Sequence, residues 1–387
     1  MLPNNLPALD SLAKAHSERL RQYVAQEIIN NGPLTFARYM QLALYAPGLG
    51  YYSAGAQKFG KAGDFITAPE ISPLFSKAVA KQCQQILTDL DGGEILEFGA
   101  GSGVMAVDIL RELEHHQCLP TRYYILEVSA DFRERQVALI KSEIPQLLDR
   151  VNWLSQLPSH PIRGVIVGNE VIDAMPVHKF KIKNGIKEIY VDYKADQFIW
   201  KIDEPSSSLV EAVRDLGIDF TEDYESEINL LMKGWVSLLT EILHTGLILL
   251  IDYGFPRHEY YHPDRNQGTI VCHYRHRSHF DPLILIGIQD ITAHVDFTVL
   301  AEAALPCLMV AGFTHQAAFL LNCGITSFMP SCEDPMLRYV VTQQIKKLTL
   351  PSEMGELFKA IALTKNYQQP LLGFTHMNQT ERLTYLI

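Results

Sequence analysis

The chain has 387 residues, 47% of them hydrophobic and 20% charged, with a formal net charge of -11 at pH 7. That is the composition of a globular protein with a sizeable core, and the acidity excludes a nucleic-acid backbone as its main partner. The longest apolar stretches are too short or too interrupted for the ~20 residues that span a bilayer, so no stable membrane insertion is expected. The six cysteines (Cys83, Cys118, Cys272, Cys307, Cys323 and Cys332) form no CxxC pair. They read as reduced thiols of a cytoplasmic, bacterial protein. The first twenty residues contain no apolar signal core and no clear mitochondrial presequence.

Apolar residues at helical spacing predict a helix over 10–31, which Gly32-Pro33 stops, and a second over about 34–45. A glycine-rich loop runs from Gly48 to Gly63, and a helix is expected from Ser72 or Pro73 to Leu90. From Glu94 the rhythm becomes strand–helix alternation. Strands are predicted at Glu94–Phe98, Arg122–Glu127, Val151–Leu154, Gly164–Gly168 and Leu247–Asp252, and helices at 103–115, 129–142 and about 226–244. Continuous apolar strands between amphipathic helices indicate a parallel sheet covered on both faces. Alternation in His178–Ile182, Glu188–Tyr193 and Phe198–Ile202, with the hairpin signal Asn184-Gly185, predicts a small β insertion. The tail from about 331 reads as mostly helical.

Between the first strand and its helix stands Glu97-Phe98-Gly99-Ala100-Gly101-Ser102-Gly103. Glycines at 99, 101 and 103 let a nucleotide-like ligand lie against bare backbone. A dinucleotide fingerprint needs a further Gly or Ala where Val104 stands, so that reading fails. S-adenosylmethionine (SAM) carries no phosphate and fits better. Glu97 is placed to hold its ammonium, directly or through water, and Glu127, ending the second strand, to accept the ribose hydroxyls. The fourth strand ends in Gly168-Asn169-Glu170, followed by Val171-Ile172-Asp173. In a doubly wound sheet that end faces the ligand crevice, which brings Asn169, Glu170 and Asp173 beside the methyl group. The Glu170–Asp173 spacing suits two acids near one helical face.

Two rival chemistries fare worse. Cys272, His273, His276 and His279, with His258 and His262 upstream, match no common zinc spacing, and Arg275 and Arg277 between them would repel a cation. No metal is expected. Those arginines are instead expected to pair with acids of the insertion. Gly101-Ser102-Gly103 lacks the first glycine of a serine-hydrolase turn, and Ser102 reads as a helix N-cap.

The segments GDFITAPEIS (63–72), EFGAGSG (97–103), GNEVIDAMPV (168–177), IDYG (251–254) and DITAHVDFT (290–298) together resemble the MidA family, with likeness beginning near LALYAPGLGYYS (42–53). These are SAM-dependent methyltransferases of bacteria and mitochondria, the mitochondrial members being complex I assembly factors that methylate an arginine. The resemblance implies an α/β class I methyltransferase fold, a Rossmann-like doubly wound sheet with an N-terminal helical lid, a β insertion and helical C-terminal additions. The segments would be 1–92 for the lid region, 93–330 for the core with its insertion at about 177–225, and 331–387 for the extension. Gly63, Asp64, Thr67, Pro69 and Glu70 would form a lid segment over SAM.

The implied activity is protein arginine N-methylation of a respiratory complex subunit or another protein. The alternatives are a small-molecule methyltransferase and a non-catalytic SAM-binding assembly chaperone. Expected partners are a protein substrate and, in a homodimer, a second copy of the chain; the product from SAM is S-adenosyl-homocysteine. An arginine nucleophile needs carboxylates to orient it, which makes Glu170 the first candidate and Asp173 or Glu70 its second acid. Asp296 is a further candidate, and one of these acids or His294 would accept the proton.

Overall fold

In the computed structural model, which describes residues 6–54, 66–305, 307–329 and 334–384, the alternation after Glu94 becomes one large sheet. The chain divides into two compact units. One comprises Met1–Phe65, Ile172–Lys233 and Arg257–Val295; the other comprises Ile66–Val171, Gly234–Pro256 and Asp296–Ile387 and carries the large sheet.

Seven strands of that sheet are β1 (Glu94–Phe98), β2 (Arg122–Leu126), β3 (Val151–Leu154), β4 (Ile162–Asn169), β5 (Leu243–Phe255), β6 (Met309–His315) and β7 (Phe358–Lys365). They lie in the order β6-β7-β5-β4-β1-β2-β3. The first five pair in parallel, while β7 runs antiparallel to both β5 and β6. The chain order reverses between β1 and β4, so a crevice opens at their carboxyl ends. Helices Pro73–Asp89, Val104–His115 and Ala130–Glu143 flank the sheet's parallel half, and Ile95, Val165, Leu249, Ala360 and Phe75 belong to one buried apolar cluster. Ser72 caps the first of these helices by accepting from the Leu74 amide at 3.2 Å, and Pro73 opens its first turn, where no donor is lost.

The tail contains the expected helix, Pro335–Thr349, but Phe358–Lys365 corrects the helical expectation: it is an inner strand of the sheet. Lys359, Ala360, Ala362 and Leu363 are good helix formers, so local propensity points the wrong way, and pairing on both edges decides. The helix expected over about 226–244 is shortened to Met232–Ile242, because Glu225–Ile228 is a strand whose buried Ser226 and Glu227 hid its pattern.

The other unit packs helices Ser11–Asn31 and Phe36–Tyr45 with an antiparallel sheet of Leu34–Thr35, His178–Ile182, Ile186–Lys194, Gln197–Asp203 and Glu225–Ile228. Asn184 and Gly185 both have positive φ, 51° and 108°, the conformation that a two-residue hairpin turn demands. A second, three-stranded sheet holds Val271–Tyr274, Arg277–His279 and Asp290–Thr292. Arg275, at the turn of that hairpin, pairs with Asp10 at 2.7 Å. Among the described residues no helix is long and apolar enough to cross a membrane.

Candidate active site

The glycine run leaves β1 and enters the Val104–His115 helix with Gly99, Gly101 and Gly103 all at positive φ, 66°, 53° and 89°. Only glycine adopts such a sequence without strain. A Cβ on Gly99 would stand 2.9 Å from Val171 Cγ2, and one on Gly103 would stand 3.2 Å from Gln136 Cγ. Gly103, rather than Ser102, is the helix N-cap. The Ser102 hydroxyl instead donates to Glu70 Oε1, which brings the Ala68–Ile71 turn onto the glycine loop.

Glu97 is fully buried at the end of β1. Its Oε2 accepts from the Tyr123 hydroxyl at 2.8 Å, and its Oε1 has no partner among the described residues. Burial pushes its pKa up to about 7; the Tyr123 donor opposes the rise and the Glu127 charge adds to it. Just past β2, Glu127 accepts from the Ser129 amide at 2.8 Å and from Gln136 Nε2 at 3.1 Å, and burial raises its pKa as well. Gln136 joins these parts. It is fully buried, donates also to Gly101 O at 2.9 Å, and accepts from Trp153 Nε1 at 3.0 Å. Sequence reading missed it, because a glutamine on an amphipathic helix looks like a solvated residue.

At the end of β4, Asn169 Nδ2 donates to Glu170 Oε1 at 3.0 Å, while the buried Asn169 Oδ1 has no partner among the described residues. The Ala68 amide reaches the same Glu170 oxygen at 3.4 Å. Glu170 itself stands at φ +52°. The expected helical face shared by Glu170 and Asp173 is corrected: Glu170 is left-handed and Ile172–Met175 forms only a turn, so the two acids do not share a helix. Asp173 belongs to the other unit, where its carbonyl accepts from the Ala293 amide at 3.0 Å. In that unit too, the His294 amide donates to Thr269 Oγ1 at 3.1 Å. Asp296 caps the Phe297–Ala304 helix, accepting from the Thr298 and Val299 amides at 2.9 and 3.2 Å. Thr67 is the N-cap of the short Ala68–Ile71 helix, which contains Pro69 and Glu70, while Gly63 and Asp64 lie outside the described residues.

A family model for S-adenosyl-L-methionine-dependent methyltransferases matches residues 78–314. The chain belongs to this methyltransferase family. A Burkholderia thailandensis protein, whose crystal structure was determined bound to S-adenosyl-homocysteine, is 40% identical to this methyltransferase. The alignment covers 97% of this chain and 100% of that one, with a TM-score of 0.93. A native structure from the same organism matches at 39% identity and a TM-score of 0.91, over 97% of this chain and 100% of its own. Among named relatives, the Danio rerio protein arginine methyltransferase NDUFAF7, mitochondrial, is 27% identical over 93% of each chain. The human protein of that name is 28% identical over 88% of this chain and 82% of its own.

This methyltransferase uses SAM, and its residues suit that molecule. Two buried acceptors without partners among the described residues, Glu97 Oε1 and Asn169 Oδ1, lie near the carboxyl ends of the adjacent strands β1 and β4. SAM brings an ammonium, ribose hydroxyls and an adenine amine as donors, and the bare backbone at Gly99 and Gly101 permits close approach. Glu97, Asn169 and Glu127 are the candidate acceptors for those donors. Among the described residues no group of three His, Cys, Asp or Glu could hold a metal ion.

Proposed function

We propose that this methyltransferase modifies arginine side chains of a protein. The observation that carries the reading is Glu170, a carboxylate set at the exit of β4 in a left-handed conformation and tied there by Asn169 and by the Ala68 amide. The match along nearly the full length of the relatives named arginine methyltransferases supports it.

When bound, SAM supplies a methyl carbon on a cationic sulfur that departs as a neutral thioether. The protein's task is alignment and charge compensation, since a guanidinium brought to a sulfonium sets two cations together. Glu170 pairs with the guanidinium and turns one nitrogen into line. Glu70, held by Ser102 on the glycine loop, supplies the second negative charge. A guanidinium keeps its proton up to pH 12 and beyond, so the proton leaves the nitrogen only as the N–C bond forms and the C–S electron pair goes to sulfur. One of these two carboxylates receives it.

The test is transfer of labelled methyl from SAM into an extract of cells lacking this enzyme, followed by acid hydrolysis of the labelled protein. Methylarginine is the expected product, and Glu170→Gln is expected to slow its formation by about a hundredfold, a rate still measurable, while leaving S-adenosyl-homocysteine binding intact. Label recovered in small molecules, or on lysine, overturns the reading.

A further inference from the structure

We infer that Asp252 is a positioning residue for the acceptor side of the site, holding the β4 exit turn in the form that presents Glu170. This rests on the reading of Glu170 given above. A non-glycine residue at φ +52° is strained and persists only where its surroundings over-determine it. The restraint here comes from β5. The parallel register between β4 and β5 ends at Asn169 opposite Ile251. Beyond that last rung the Glu170 amide donates to Ile251 O at 2.9 Å, and the Val171 amide donates to Asp252 Oδ2 at 3.1 Å. A side-chain carboxylate thus takes over where the backbone ladder stops.

Asp252 is itself fixed. It is 1% exposed, and its Oδ1 accepts from the Tyr253 amide at 2.9 Å. One carboxylate therefore binds an N–H of its own strand and one of the turn that leaves β4, using both of its oxygens. Asparagine has one, and its amide would turn a donor against a donor. Asp252 touches neither the methyl group nor the guanidinium in this scheme. It acts through the backbone of residues 170 and 171, and so on the direction of the Glu170 carboxylate.

The experiment compares the full-length wild type with Asp252→Asn, Asp252→Ala, Glu170→Gln and the double variant Asp252→Ala/Glu170→Gln. Three quantities are measured: affinity for S-adenosyl-homocysteine by calorimetry, amide exchange of peptides spanning 168–173, and initial rate of methyl transfer into extract from cells lacking the enzyme. For both Asp252 variants the expected result is S-adenosyl-homocysteine affinity within about threefold of wild type, faster exchange at 170–171, and transfer slowed by about tenfold or more. The double variant should be no slower than Glu170→Gln alone, since Asp252 acts through Glu170. Multiplicative losses, unchanged exchange, or loss of S-adenosyl-homocysteine binding in both Asp252 variants overturns the assignment. A wild type that labels a residue other than arginine removes the arginine reading. The Asp252 comparison is unaffected by that result, because it uses rate ratios on whichever acceptor is labelled, together with exchange and affinity data that need no acceptor.

Discussion

The side-chain amide of Gln136 donates to the carbonyl oxygen of Gly101 across 2.9 Å, binding the Ala130–Glu143 helix to the glycine loop. The same nitrogen reaches Glu127, and the amide oxygen takes the Trp153 indole N–H. Gln136→Leu would remove a shared partner from three half-buried polar groups, at about 1 kcal/mol each. The expected outcome is a lower melting temperature and at least tenfold weaker S-adenosyl-homocysteine binding, read by thermal unfolding and calorimetry. Unchanged affinity in a destabilised but folded variant would confine Gln136 to a structural role.

Glu97 gives the site a pH dependence. Its carboxyl, raised to about 7 by burial, is half protonated near neutrality before ligand binds. An ammonium binds the carboxylate form, so affinity for S-adenosyl-homocysteine should fall as pH drops below about 7, approaching tenfold per unit. Glu97→Gln should bind more weakly and lose this slope.

The same shift acts on stability with a definite sign. The folded state holds the Glu97 proton more tightly than the unfolded chain, whose carboxyl titrates near 4.5. Its contribution therefore favours folding at low pH and is lost as pH rises from about 4.5 through 7, by roughly 3 kcal/mol in all. Ligand-free Glu97→Gln should melt higher than wild type at pH 8, with the difference vanishing near pH 4.5. Melting curves of the two proteins across that range provide the check.

Two glycines with positive φ should behave differently. Gly99→Ala meets Val171 at 2.9 Å as well as an unfavourable backbone, whereas Gly185→Ala, at φ +108°, has nothing within 4 Å. Both should lose stability by about 1 kcal/mol or more from the backbone alone. Only Gly99→Ala should also weaken S-adenosyl-homocysteine binding, by tenfold or more. Parallel titrations of the two variants test this.

Truncation after Thr349 removes β7 from between β5 and β6. A terminal helical appendage could be cut with little loss, but an inner strand cannot. The truncated chain should lack a cooperative thermal transition by circular dichroism.

The cofactor half of the site was legible because its signals are local. Three glycines at alternate positions, with acids at the ends of two adjacent strands, specify a strand–turn–helix unit within about thirty residues. Gln136 and Asp252 carry no such mark. The first meets Gly101 from 35 residues away and the second meets Val171 from 81, so their roles exist only once the sheet has formed. The Glu170–Asp173 spacing misled for a related reason: a helical interval means nothing across a left-handed residue. β7 was hidden by its own alanines and leucine.

The place of β7 also bears on how the chain is made. A ribosome releases β5 long before it reaches Phe358, and until then the β5 edge from Gly246 to Tyr253 has no antiparallel neighbour. At about 5–20 residues per second, the 110 residues between the ends of β5 and β7 (365 − 255) take roughly 5–20 s to emerge. Throughout that interval an apolar strand edge is open to pairing with another nascent chain. Yield in cells should therefore depend on translation speed and on chaperones that shield such edges, more than on the stability of the finished sheet.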